Sequence, residues 1–320
     1  MGVSPDITTP IVRDGYGQTV TGVQDGLGPL LGLVGSWNNP GALTDNSAQN
    51  GYNVMPLPQS NSPEQGNVVL RDFHYYEEMT FSAIPGDAAN RGGSFQQNCW
   101  VLFYEQRVYF GYDAAPQAQN TLVHAENGDW LHLVNAPQKE GPAEGGSTEP
   151  TPGGIPVPPY PIVKQVSVPH GNSILATGVK PNTGTGNPTF PISENNTMPA
   201  NATQAIKDYY NKTAETQPLL LEPVQILQDY VTANNTGDKA ITSWTEFTFK
   251  TSNPGGAVTN IIFENKFAKV TGYTTTYWLE TLADNSTQLQ YFQNIEMEFG
   301  NNPGVTFYHV DANTMQFVNS

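Results

Sequence analysis

The sequence predicts an all-β protein: one antiparallel up-and-down β-barrel of about ten strands carrying a mostly helical or loop insertion. Three observations lead there. The first is composition: 31 Gly and 26 Pro, with only 13% of the 320 residues charged, suit short strands joined by turns and loops. The second is period-two alternation, cleanest in Phe73–Phe81 and Thr287–Phe299. The third is the stretch Gly28-Pro-Leu-Leu-Gly-Leu-Val-Gly-Ser-Trp37, an apolar helical turn feeding a strand. Its glycines let the backbone pass close to other elements, and Trp37 can plug one end of a small barrel, leaving the other open for a ligand.

Taken in order, residues 1–27 show no periodicity and predict a loosely attached arm. Residues 28–320 predict a single barrel domain with insertions at about 136–161 and 180–240. The segment 38–66 reads as loop. In Phe73–Phe81, alternation puts Phe73, Tyr75, Glu77, Met79 and Phe81 on one face and His74, Tyr76, Glu78 and Thr80 on the other. Asn98–Tyr112 is β with aromatics on both faces, and Leu122–Val134 predicts two strands joined by an Asn127-Gly128 turn. Residues 136–161, rich in Pro, Gly and Glu, predict an exposed excursion. Strands follow at Ile162–Val168 and Ser173–Ala176, broken at Pro169-His-Gly171.

Helical spacing occurs at Thr203–Ala214 and Glu222–Val231, predicting a segment that packs over the barrel as a lid or flank. Further β segments are expected at Ile241–Lys250, Val258–Val270, Tyr273–Leu282 and Thr287–Phe299. A final hairpin is expected from Val305–Val310 and Met315–Val318.

Acidic residues outnumber basic ones 29 to 13, a formal net charge of -16 that opposes nucleic acid and anionic membranes as partners. The lone cysteine, Cys99, excludes an intrachain disulfide and lies in an apolar run, as a buried structural thiol does. Met1-Gly-Val-Ser-Pro-Asp lacks the basic start and apolar core of a signal segment, so a cytoplasmic location is expected.

Gly28–Trp37 resembles the apolar-turn-then-Gly-X-Trp opening of the nitrobindin family, haem-binding β-barrels related to the fatty-acid-binding proteins and hence calycin-like. Phe73-His-Tyr-Tyr-Glu-Glu-Met-Thr-Phe81 is similar to that family's Glu-Glu-X-X-Phe strand, and Val123-His-Ala-Glu-Asn-Gly128 to its His-Ala-Glu-Ser-Gly segment. The resemblance covers mainly the first half of the chain. It implies a haem cofactor, with His124 lining the distal side of the pocket. The family's iron-ligating histidine follows a Leu-Gln dipeptide near the C-terminus. Here Leu289-Gln290 is followed by Tyr291, which can ligate iron as a phenolate, with His170 at a strand break as the alternative ligand.

Candidates to touch a ligand are Trp37, Tyr75, Met79, Val123, His124, His170, Leu279 and Tyr291. Glu77, a carboxylate on an apolar face, needs a partner or a function and is the acid/base candidate. His132 and His309 carry no special context, and no histidine pair has the spacing of a zinc or non-haem iron site. The expected function is binding of one small, mostly apolar molecule, haem being the leading named ligand, with residues 180–240 as a cap. The competing class is an enzyme. It would be either a haem-dependent peroxidase or isomerase using His124, or a cofactor-free catalyst in which Glu77 and tyrosines act on an apolar substrate.

Overall fold

The structure, a computed structural model, describes residues 26–39, 50–89, 97–111, 121–135 and 160–318. All but two residues of the expected arm at 1–27, and all but two of the excursion at 136–161, lie outside the described residues.

Among the described residues, thirteen strands form one sheet. They are β1 (Gly35–Asn38), β2 (Tyr52–Pro58), β3 (Val68–Ala89), β4 (Gln97–Phe110), β5 (Leu122–Asn135), β6 (Ile162–Val168), β7 (Asn172–Gly178), β8 (Asn182–Thr185), β9 (Ile241–Lys250), β10 (Ala257–Asn260), β11 (Ala268–Leu282), β12 (Thr287–Phe299) and β13 (Thr306–Phe317). Ten strands close an antiparallel barrel, in which β3 to β7, then β9, β11, β12 and β13 follow one another in sequence order. The expected up-and-down barrel is therefore present.

Two joints complete the ring. Thr177 pairs with Lys250 where β7 meets β9, with β10 and β8 carrying the outer edges of those two strands. Between β13 and β3 the slot is shared, β1 pairing toward one end (Trp37 with Phe317 and Met79) and β2 toward the other (Val54 with Val310 and Asp72).

Several expected boundaries shift for local reasons. A strand, β2, occupies part of the segment 38–66. Leu122–Val134 is not a hairpin but one strand, because Gly128 lies mid-strand where any Cβ would overlap the carbonyl oxygen of Gln165. Val258–Val270 is not one strand: it is β10, a helical turn α3 (Ile262–Phe267) and the start of β11. The expected terminal hairpin is the continuous strand β13. Gly35 sits at φ 131° beneath the Phe317 ring, a conformation and a contact that exclude a side chain.

The two expected helices form as α1 (Gln204–Ala214), capped by the Thr203 hydroxyl, and α2 (Gln225–Asn234). Their apolar faces (Ile206, Tyr210, Leu227, Val231) lie on the outside of the wall, against Val54, Leu70, Phe292, Val310 and Ala312. They flank the barrel rather than cap it, because the apolar stripe of that outer wall needs cover. This also explains why Gln288, Gln290 and Phe292, on the outward face of β12, are buried. Among the described residues no helix is long and apolar enough to cross a membrane.

Candidate ligand-binding site

The barrel interior has a packed half and a hollow half, at opposite ends of the same strands. In the packed half, Trp37 follows a 3-10 turn (Gly28–Leu33) and donates from Nε1 to the Leu33 carbonyl at 2.8 Å. Trp130 stands at the centre, with ring centroids 4.7 Å from Tyr277, 4.8 Å from Phe249 and 5.3 Å from Phe81. Aromatics of that size leave no lumen.

Toward the other end the side chains do not meet across the barrel, and a cavity of about 1050 Å³ opens. Its walls are mostly aliphatic and aromatic: Met55, Leu57, Phe73, Val108, Val123, Val168, Ile174, Ile295, Met297 and Phe299. The mouth is rimmed by α3, whose Phe263 and Phe267 line the cavity while Ile262 projects outward, 88% exposed.

The floor is polar. It carries Tyr75, His124, Glu126, Gln293, His309 and Asp311, with Asn53 beside them on β2. Glu126 accepts from the Tyr104 hydroxyl at 2.9 Å and pairs with Lys164 Nζ at 3.5 Å and His124 Nε2 at 3.3 Å. Burial alone would raise its pKa, but the Lys164 charge, His124 and Tyr104 together outweigh it and hold the carboxyl at about 2. Burial likewise opposes a charged His124, yet the Glu126 hydrogen bond and charge win and raise its pKa.

Lys164 itself is wholly buried. It donates to Tyr273 and Tyr277 hydroxyls at 2.7 and 2.9 Å and to Gln293 Oε1 at 3.4 Å, and burial lowers its pKa against the pull of Glu126. Asp311 is raised to about 7 by burial and the Glu126 charge, and His309 is lowered to about 3 by burial and so stays neutral.

Beneath this floor lies a second polar layer sealed from the cavity. Glu77 Oε2 accepts from Tyr291 and Asn313, both at 2.6 Å, and Tyr291 also meets the Tyr75 hydroxyl at 3.1 Å. Burial lifts Glu77 to about 8 even though both hydrogen bonds favour its ionised form. Folding therefore raises the proton affinity of this group. Its contribution is present below the ordinary value of 4.5 and is lost as pH rises to about 8. Glu77→Gln is expected to flatten that window. Urea unfolding across pH 5–8 should show the native protein losing stability more steeply than the variant, by up to about 1.4 kcal/mol per pH unit.

Of the residues singled out from the sequence, Tyr75, Val123, His124 and His170 line the cavity. Trp37, Met79 and Leu279 belong to the packed half, and Leu279 covers Gly32. Glu77 and Tyr291 lie below the floor, fully buried, so neither touches the lumen. His124 and His170 approach each other at 3.4 Å between Nδ1 and Nε2. Among the described residues no group of three or more His, Cys, Asp or Glu side chains is placed to hold a metal ion.

The fit to haem divides accordingly. A Tyr291 phenolate does not fit, since Tyr291 does not line the cavity and its hydroxyl is committed to Glu77 and Tyr75. The ring of His170 does reach the lumen.

Sequence reasoning missed Asn53, Glu126, Lys164, His309 and Asp311. For Lys164 a signal existed: alternation in Ile162–Val168 sets it on the face of Ile162 and Val166. For Asp311 the signal was lost when β13 was divided.

Fold and site together define a closed antiparallel β-barrel with an internal, largely apolar cavity of ligand size. No protein-family profile and no curated protein sequence matches the chain. Among solved structures, the crystal structure of Rv2717c from M. tuberculosis is similar with a TM-score of 0.39 and 14% identity, over 92% of this chain and 97% of that one.

Proposed function

We propose that the protein binds one small, mostly apolar molecule in the hollow half of its barrel. The observation that carries this is the cavity of about 1050 Å³, walled by apolar side chains over a polar floor. That is the size and lining of sites that hold a single small molecule. The packed half makes the site one-ended, so a ligand enters past α3 with its polar end toward Asp311 and Glu126.

Titration with the uncharged fluorophore N-phenyl-1-naphthylamine tests it. Saturable binding at one site per chain is expected, weakened about tenfold or more in Val123→Trp, whose ring fills the lumen. Absence of saturable binding, or equal binding by the variant, would contradict the proposal.

Haem is the second reading, supported by the His170 ring, which lines the cavity beside His124. There His170 would hold the iron, with His124 3.4 Å away to bind or move a proton. Bound haem would supply redox chemistry or ligation of small gases at its iron. A Soret band that survives Tyr291→Phe and is lost in His170→Ala is the expected signature.

A further inference from the structure

Two residues that line the cavity floor each carry a buried polar atom without a partner. Asn53 and Asp311 are directly opposed residues of β2 and β13, and both line the cavity. Opposed residues on adjacent antiparallel strands hold their side chains on one face, with Cβ atoms roughly 5 Å apart. Asn53 is 6% exposed and Asp311 9%.

With His309 Nε2 donating to Asn53 Oδ1 at 2.7 Å, the Asn53 Nδ2 donor has no partner. Asp311 Oδ2 receives only a long bond of 3.5 Å from Gln293, and its Oδ1 acceptor has none. Buried polar atoms are nearly always paired in folded proteins, so an unpaired donor and acceptor on one cavity wall point to a missing group.

Resting on the binding reading above, we infer that this pair seats the hydroxyl of the bound molecule. Its O–H donates to Asp311 Oδ1 and its oxygen accepts from Asn53 Nδ2. The ligand class is then an apolar alcohol, such as a long-chain alcohol or a hydroxylated polycycle.

Other head groups match less well. An ammonium group cannot accept from Asn53. A carboxylate has no proton for Asp311 and faces the charge of Glu126. The cations that could offset it are engaged, Lys164 by Tyr273, Tyr277, Gln293 and Glu126, and His124 by Glu126 and His170. An ether accepts but cannot donate.

Displacement of N-phenyl-1-naphthylamine at pH 8 by decan-1-ol, 1-methoxynonane, decylamine and decanoate separates these cases. The neutral ether, with as many heavy atoms as the alcohol, controls for apolar burial. Decan-1-ol is expected to bind about tenfold tighter than the ether, and tighter than the amine and the carboxylate. Asp311→Leu should close the gap between alcohol and ether, whereas Asn53→Leu should weaken both and keep the gap.

The inference is overturned if the ether, amine or carboxylate equals the alcohol, or if the gap persists in Asp311→Leu. Should a variant fail to fold, the series on the native protein decides alone. If the fluorophore itself does not bind, the binding reading fails and this one with it. If it binds but shows no preference for the alcohol, only the head-group assignment fails.

Discussion

Lys164→Met is expected to lower stability by about 3–5 kcal/mol, read as a shift in the urea unfolding midpoint. The ammonium group is wholly buried, with Nζ 5.0 and 5.1 Å above the Tyr104 and Tyr277 rings and 3.5 Å from Glu126. Removing it leaves a buried carboxylate facing the neighbouring charges of the floor with only His124 to offset it. Glu126→Gln is expected to be costly for the mirror reason, stranding the cation. The double variant should recover much of the loss, because a buried pair replaced as a whole costs far less than one broken in half. Single and double variants that simply add would show that the two charges do not act together.

Trp130→Ala is expected to cost about 3–5 kcal/mol, and Trp130→Phe less. The indole is the hub of the packed half, edge-on to Phe249, Tyr277, Phe81, Phe247 and Tyr104. Neighbours held on closed strands cannot collapse into the space an alanine leaves. Thermal and urea unfolding read this directly, and a loss under about 1 kcal/mol would mean that the packed half is looser than the ring contacts indicate.

The two variants probe the buried charge pair under the hollow half and the hub of the packed half, and the sequence showed the two halves of the barrel unequally. Trp37 and the glycines before it marked the plugged end, because a large apolar ring at a strand start and small residues around it are local features. The full-length strands β9 and β12 were legible from alternation alone. The cavity was not, since a lumen depends on which side chains meet across the barrel. Met79 and Leu279 share the inward face with Tyr75 and Tyr273, yet only the latter two stand at the hollow end.

Glu77 and Tyr291 show the same limit. Their shared inward face was readable, but their pairing at 2.6 Å under the floor depends on two strands far apart in sequence meeting in the fold. The polar floor was hidden for a further reason. Asp311 lies in a stretch that alternation divided in two, because Asp311 and Asn313 look like a turn when the wall that buries them is not in view.

The most direct test of the central claim is a crystal structure of the protein grown with decan-1-ol or N-phenyl-1-naphthylamine. The expected result is density for the added molecule between Phe73, Val108, Ile174 and Met297, at the end of the barrel away from Trp37. Side chains filling that space, or the molecule lodged only on the outer wall beside α1 and α2, would contradict it.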